Sequence, residues 1–210
     1  MVQPVPAALR PPLFFATAIT LLVTLARLVG ERAGGPAWAF GRGAGGGASV
    51  VGIGWLIPVF GAWFGHRLAL AGQAPADLNR ALRLVVGALL GVVAVFLVAK
   101  TLLSVTLATF VFVALALPAL ALLAVVAWPE LARVLLVYAV LARLPVIALT
   151  VVAVRALWGT HYEQLAPGAP AMDDFGRATV LCLAQVCLWI PLTMLGGCAA
   201  GLIAAMRVRR

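Results

Sequence analysis

Between Leu84 and Trp128 the sequence contains a single charged residue, Lys100, in 45 positions. An α-helix rises about 1.5 Å per residue, so it needs about 20 mostly apolar residues to cross the hydrocarbon core of a bilayer. The stretch is therefore long enough for two membrane-spanning helices, and it is too apolar to coat a water-soluble protein. We place the reversal between the two helices at residues 100–106.

The rest of the chain has the same character. Of its 210 residues, 65% are hydrophobic and 10% are charged, whereas ordinary soluble domains carry about 25% charge. With proline, glycine and charged residues as boundaries, we predict a single all-α membrane domain over residues 1–210, a polytopic transmembrane helix bundle of about six spans with no soluble domain. The predicted spans are 12–28, 49–71, 78–100, 105–127, 131–154 and 179–206, with polar loops at 30–48 and 155–178. We expect the first span to be a retained anchor rather than a signal peptide, because no clear small-residue cleavage site follows it.

The net charge of +9 comes from 15 Lys and Arg residues against six Asp and Glu residues. In a soluble protein this excess would suggest a nucleic-acid partner, but here the basic residues fall mainly between apolar runs, and no basic patch with interleaved aromatics is present. We therefore predict the lipid bilayer as the partner and no nucleic acid. Placing both ends in the cytoplasm puts eight basic residues on the cytoplasmic side and six on the other, which favours that orientation. We expect an integral protein of a bacterial inner membrane with cytoplasmic N- and C-termini.

Arg143 is the charged residue placed most deeply in a predicted span, at about the thirteenth of 24 positions. A charge at the bilayer centre costs about 2.5 kcal/mol on insertion scales and over 10 kcal/mol in simulations, so such residues usually face the bundle interior and are candidates for function. None of the predicted spans contains Asp or Glu. Pro145 should kink the helix beside Arg143 and free the carbonyl of Leu141, and Gln185 in the last span is within reach if the two helices are neighbours. The three residues form either a structural polar clamp or a site for a ligand, lipid or ion.

Four prolines fall near the middle of four different predicted spans: Pro58, Pro118, Pro145 and Pro191. Broken helices at the membrane midplane build the binding sites of some transporters. Proline is also common in membrane helices generally, and the two halves of this chain show no inverted repeat. We therefore favour kinks that serve helix packing.

The loop at 155–178 is the best surface candidate for a site. Its histidine and carboxylates have the side-chain types that bind metals or move protons. Interfacial anchoring by its aromatic residues, together with Asp residues at a helix start, explains the same residues without catalysis. The candidate residues are His161, Tyr162, Glu163, Asp173 and Asp174.

Familiar catalytic motifs and metal-binding patterns are absent from the sequence, so we predict no catalytic residues, no metal and no cofactor. Three Gly-x-x-x-Gly pairs would let helix backbones approach closely, either inside the bundle or in contact with a membrane-protein partner or a second copy of the chain. These pairs are Gly61 and Gly65, Gly87 and Gly91, and Gly197 and Gly201.

The leading functional hypothesis is a non-catalytic membrane component, either an accessory or scaffold subunit of a membrane complex or a lipid-associated protein. The alternative is a small transporter or channel-like protein that uses Arg143 near the proline kinks. A membrane enzyme with a site on the 155–178 loop is the third hypothesis.

Overall fold

The computed structural model describes residues 6–46, 49–102 and 107–208, and within these ranges it contains helices and turns but no strand. The predicted all-helical bundle is confirmed. A π-helical turn, Gln185–Trp189, joins the last two helices into one continuous helix of 35 residues. The helices are α1 (Arg10–Arg32), α2 (Ala37–Phe40), α3 (Leu56–Leu70), α4 (Leu78–Leu102), α5 (Leu107–Ala127), α6 (Pro129–Ala156), α7 (Asp174–Ala184) and α8 (Ile190–Val208).

Five helices of the described chain are long and apolar enough to cross a membrane: α1, α4, α5, α6 and the continuous α7–α8. The second predicted span, residues 49–71, differs from the prediction. Helix α3 has 15 residues and is therefore about 22 Å long. It begins at Leu56 rather than at Ser49, because Gly52 and Gly54 favour the bends and turns that precede it.

Two other boundaries differ from the predicted spans by more than three residues. Helix α1 continues through its charged last turn to Arg32, and α7 begins at Asp174, five residues earlier than predicted. Asp173 caps α7 by accepting a hydrogen bond from the backbone N–H of Gly176 at 2.8 Å. The reversal between α4 and α5 was predicted at residues 100–106; residues 100–102 belong to α4, and residues 103–106 lie outside the described residues.

The contacts fix the direction of each helix relative to its neighbours. Thr20 of α1 hydrogen-bonds the hydroxyl of Tyr138 in α6 at 2.8 Å, and Tyr162, which follows α6, donates to the carbonyl of Thr24 at 3.2 Å. Helices α1 and α6 therefore run in the same direction, and α7–α8 returns antiparallel to α6. The start of α1 and the end of α8 lie at one end of the bundle, the terminal end. The opposite end carries residues 33–46, 49–55 and 157–173, and we call it the loop end.

Two of the three Gly-x-x-x-Gly pairs meet inside the bundle. Gly61 and Gly65 of α3 pack directly against the backbone of Gly197 and Gly201 of α8. A Cβ added at Gly201 would lie 2.9 Å from the carbonyl oxygen of Gly61, so a larger residue would force the helices apart. This close approach holds the short helix α3 against α8.

The third pair faces a different environment. A Cβ at Gly91 would lie 3.0 Å from a methyl group of Leu120 in α5, whereas one at Gly87 would meet nothing within 4 Å among the described residues. Of the six glycines in these pairs, Gly87 alone has open space at its Cβ position. Association with a second chain through Gly87 stays a prediction.

Candidate functional site

Arg143 lies near the middle of α6, about 20 Å from either end of the helix, and it is only 5% exposed. Its Nη1 donates a long hydrogen bond of 3.5 Å to Oε1 of Gln185. Its Cζ lies 4.9 Å from the centre of the Trp189 ring, a distance at which a cation is attracted to the ring face. Its Nε is buried and has no hydrogen-bond partner among the described residues. The guanidinium is thus held by one amide and one aromatic ring.

Both partners of Arg143 come from the π-helical turn, Gln185–Trp189. The backbone N–H of Ile190 bonds the carbonyl of Gln185, five residues earlier, as in a π-helix. Pro191 explains why the turn widens here, because proline lacks an N–H and its ring crowds the carbonyl of Cys187, four residues before it. π-Helical turns are frequent at functional sites. The proline near the middle of α7–α8 therefore shapes the surroundings of Arg143.

The other three prolines occupy different positions in their helices. Helix α6 continues through Pro145 without interruption, and Pro118 lies inside α5. Pro58 is the third residue of α3, so it lies at the start of its helix rather than in the middle. In the described part of the chain, Arg143 donates to Gln185 and makes no hydrogen bond to the Leu141 carbonyl.

A second group of polar side chains lies at the loop end, and we call it the Glu31 cluster: Arg27, Glu31 and His161. Oε1 of Glu31 accepts a hydrogen bond from Nε of Arg27 at 2.7 Å and lies 2.5 Å from Nδ1 of His161. Oε2 of Glu31 accepts from the backbone N–H of His161 at 2.9 Å. Glu31 is 1% exposed and Arg27 is 7% exposed. The buried carboxylate thus has a buried cation beside it and fixes the histidine at two points.

The Glu31 cluster also ties the loops to the bundle. Arg27 Nη2 donates to the carbonyl of Gly41 at 2.8 Å and to the hydroxyl of Ser49 at 3.2 Å. Arg42 donates to the backbone carbonyl of Glu31. The described part of the predicted polar loop at 30–48 is therefore held by these bonds, and it includes the short helix α2.

The geometry assigns the protons on His161. Burial lowers the pKa of His161 below its usual range, while its hydrogen bond to Glu31 acts in the opposite direction. A neutral imidazole beside a carboxylate carries its proton on the nitrogen that faces the carboxylate, so Nδ1–H donates to Glu31. The other ring nitrogen, Nε2, is then a hydrogen-bond acceptor. Burial also raises the pKa of Tyr162, so its hydroxyl stays protonated.

The five residues of the predicted surface site are divided among three places. His161 and Tyr162 turn inward to contact α1. Glu163 caps the turn that carries them, because its Oε1 accepts from the backbone N–H of Thr160 at 2.8 Å. Asp173 and Asp174 lie at the start of α7, where negative charge stabilises a helix terminus.

Sequence reasoning missed Arg27 and Glu31, although a signal was present. Thr20, Thr24, Arg27 and Glu31 recur at spacings of four, three and four residues, which places them on one face of a helix. All four are buried. Taking the charges as the end of the first span obscured this polar face.

A cavity of about 660 Å³ joins the two polar groups. Arg143, Gln185 and Trp189 line it from the middle of the bundle, while Arg27 and His161 line it at the loop end. Its other walls are mainly apolar, and they include Ile53, Phe96, Phe110, Val146, Leu188 and Leu192. The volume falls in the range of about 300–1,000 Å³ that is typical of small-molecule sites.

The two polar groups lie at different depths along the bundle, and the cavity extends between them. Tyr138 contacts Thr20, and helical rise puts Glu31 about 16 Å beyond Thr20 and Arg143 about 7 Å beyond Tyr138. Since α1 and α6 run in the same direction, Arg143 and Glu31 differ in depth by about 9 Å.

The charges of the two groups differ in an important way. Arg27 is neutralised by Glu31, but within the described ranges no carboxylate forms a salt bridge with Arg143. The cavity therefore carries one uncompensated positive charge. An anion is the chemical species that such a cavity is suited to hold.

The described residues contain no group of three or more His, Cys, Asp and Glu side chains placed to hold a metal ion. Comparisons of the chain with protein-family models, with curated proteins and with solved structures found no match.

Proposed function

We propose that this protein binds an amphiphilic anion, a lipid with a negatively charged headgroup, in the cavity that Arg143 and His161 line. Arg143 is the residue that contacts the anion. The observation that carries the proposal is the buried guanidinium of Arg143, whose Nε has no partner among the described residues and which lines a cavity of about 660 Å³.

Burying the charge of Arg143 costs free energy that its contacts with Gln185 and Trp189 do not fully offset. A charged side chain at the centre of a spanning helix costs about 2.5–3.5 kcal/mol on insertion scales. A 3.5 Å hydrogen bond to a neutral amide and a contact with the face of an indole offset only part of this cost. A bound anion would supply the missing counterion.

The walls of the cavity favour a lipid over a soluble anion. Side chains such as Phe96, Phe110 and Leu192 line it, and apolar surface of this kind is suited to acyl chains. A free phosphate or a small carboxylate would leave these walls without a partner. The ligand class is therefore an anionic headgroup joined to a hydrocarbon chain.

Binding of a short-chain lipid tests the proposal. Dihexanoyl phosphatidylglycerol is titrated by calorimetry into the protein in nanodiscs of phosphatidylcholine, with dihexanoyl phosphatidylcholine as the uncharged control lipid. We expect Arg143→Gln to weaken phosphatidylglycerol binding by about 10- to 100-fold, as the loss of one hydrogen bond to a charged group does. Arg155→Gln is the matched control, since Arg155 lies in the same helix but is exposed.

Three results would contradict the proposal: equal binding of the two lipids, equal losses in the two arginine variants, or no binding of phosphatidylglycerol. Glycerol 3-phosphate is added as a competitor to distinguish the source of the anion. If it displaces the lipid at concentrations similar to those of the lipid itself, the site takes a soluble anion and the lipid assignment is wrong.

A second candidate function is transport of the same anion. It is favoured by the extent of the cavity, which reaches from Arg143 near the middle of α6 to His161 at the loop end. Uptake of the anion into proteoliposomes that depends on Arg143 would distinguish transport from binding. A scaffold or subunit role is tested separately, by recovery of a stoichiometric partner after gentle purification.

We further propose that the terminal end faces the cytoplasm of a bacterial inner membrane. Among the described residues, six basic residues lie at the terminal end and six at the loop end, and in the sequence two more arginines directly follow α8. The positive-inside rule then favours the terminal end. Of the six at the loop end, Arg27 is turned inward and paired with Glu31. Labelling of single cysteines in intact cells and in inverted vesicles would test this orientation.

A further inference from the structure

We infer that His161 is the second polar contact of the bound anion, through Nε2, and that it takes up a proton when the anion binds. The ligand site would then be sensitive to pH in the physiological range. This inference rests on the proposed function, because it concerns the same cavity and the same anion.

The orientation of the imidazole is the first argument. Glu31 engages both the Nδ1 atom and the backbone N–H of His161, at 2.5 Å and 2.9 Å. These contacts fix the ring and leave Nε2 as its remaining polar atom. Since His161 lines the cavity, Nε2 is the atom through which it can interact with a ligand. A carboxylate at Nδ1 is the usual device by which proteins orient a functional histidine.

The charges around His161 are the second argument. From α1 it is faced by Glu31, which is negative, and by Arg27, which is positive and bound to the same carboxylate oxygen. Tyr162, whose ring centre lies 4.0 Å from that of His161, is neutral. Arg42, from the α1–α3 connection, bonds the backbone carbonyl of Glu31. The local charges of Arg27 and Glu31 cancel and the guanidinium of Arg42 adds a positive charge, so an anion that enters the cavity brings the negative charge that favours a protonated ring.

The sign of the coupling follows from linkage. In the empty cavity, burial lowers the pKa of His161, so the imidazole is neutral at pH 7. An anion beside Nε2 favours the protonated ring and raises this pKa. Anion affinity is therefore highest below the pKa of the empty state, and it falls as the pH rises through the pKa of the bound state. Each unit by which the anion raises the pKa changes the affinity by about tenfold.

The test uses the calorimetric assay with dihexanoyl phosphatidylglycerol at a series of pH values from 5.5 to 8.0. The probe is a phosphodiester that keeps one negative charge throughout, so changes in affinity report on the protein. We expect the dissociation constant of the unmodified protein to rise about tenfold across the series, as a pKa change of about one unit requires. In His161→Asn, whose amide can still donate to Glu31, we expect a change of less than about twofold.

The control variant is His66→Asn, which removes the other histidine of the chain. His66 is exposed near the end of α3, at the terminal end of the bundle, so this variant should keep the full pH dependence. A pH dependence that is the same in His161→Asn as in the unmodified protein would refute the inference. So would constant affinity in the unmodified protein.

A second measurement keeps the test valid if His161→Asn does not fold. In the unmodified protein labelled with ¹⁵N-histidine, adding phosphatidylglycerol at pH 7 should shift Nε2 of His161 from the frequency of an acceptor nitrogen toward that of a protonated one. An unchanged Nε2 frequency with lipid bound would overturn the inference and leave the lipid site intact. Failure of the lipid to bind at every pH would instead overturn the proposed function.

Discussion

Replacing Arg143 with methionine separates the two roles that this arginine can have. Methionine is unbranched and flexible, so it can fill much of the same space without a charge. If the arginine is a structural clamp between α6 and the π-helical turn, the substitution should destabilise the protein under all conditions. If the arginine is instead an anion-binding residue, the substitution should leave the stability unchanged or increase it without lipid, and it should lower the stability only when lipid is present.

The structure sets the expected magnitude. The charge at the helix centre costs about 2.5–3.5 kcal/mol. Two contacts offset this cost. The hydrogen bond to Gln185 is long, at 3.5 Å, so its contribution lies near the lower end of the range of about 1.5–3 kcal/mol for hydrogen bonds to charged groups. The contact with Trp189 adds about 0.5–2 kcal/mol. The sum lies close to balance, so we expect Arg143→Met to leave the free energy of unfolding without lipid unchanged to within about 1 kcal/mol.

With lipid, the unmodified protein should become clearly more stable than the variant. A ligand at about 100 times its dissociation constant stabilises the protein that binds it by about 2.7 kcal/mol. The unmodified protein should gain this amount with phosphatidylglycerol, and the variant should gain little. Chemical unfolding in neutral micelles, with and without the lipid, measures both quantities. Arg155→Met, at the exposed end of the same helix, is the control and should respond to lipid as the unmodified protein does.

One result would refute this reasoning. A loss of more than about 1.5 kcal/mol in Arg143→Met without lipid is larger than experimental scatter for a tolerated substitution. It would mean that the contacts with Gln185 and Trp189 outweigh the cost of the buried charge. Arg143 would then be a structural clamp, and the cavity would need no anion.

Three further predictions concern the packing and the Glu31 cluster. Gly61→Ala should destabilise the protein by about 1–3 kcal/mol, because the added methyl group would meet the backbone of Gly197. Gly87→Ala, where the added methyl group has open space, should be neutral or stabilising by up to about 1 kcal/mol, and thermal unfolding compares the two variants. Glu31→Gln leaves Arg27 buried without its counterion and should cost about 3–5 kcal/mol in chemical unfolding, and a loss below 1 kcal/mol would contradict a buried pair. Because the pKa of His161 is lowered in the fold, the neutral imidazole contributes its full stabilisation above about pH 6.5, and this contribution declines as the pH falls further. Without lipid, the unfolding midpoints at pH 7.5 and pH 5.5 should therefore differ less in His161→Asn than in the unmodified protein.

The long helices could be predicted because each depends on local composition. Helix α4 begins after Asp77, which caps it by accepting from the backbone N–H of Arg80 at 2.8 Å, as its sequence position suggests. Helix α6 begins at Pro129 and so lies within two residues of the predicted start. In both cases the signal and the structure involve neighbouring residues.

The errors arose where distant residues decide the outcome. The charges after residue 28 predict the end of the first span, yet α1 continues through Glu31 because His161, 130 positions away, donates two hydrogen bonds to it. The start of α3 was placed seven residues too early because apolar composition alone does not reveal the bends around Gly52. The only sequence signal of the π-helical turn is Pro191. This proline does not indicate that the turn contacts Arg143.

Two buried polar groups in one membrane bundle are best understood by comparing how each is satisfied. In the Glu31 cluster the carboxylate is fully satisfied, since it has a buried cation beside it and both of its oxygens accept hydrogen bonds. Arg143 has a weak hydrogen bond, an aromatic contact and one nitrogen without a partner among the described residues. A protein that needed only to clamp two helices would gain more from a neutral pair, because the desolvation of a charge would then be avoided. The retention of an unpaired guanidinium beside a cavity is therefore more economically explained by a ligand that carries the missing negative charge than by packing.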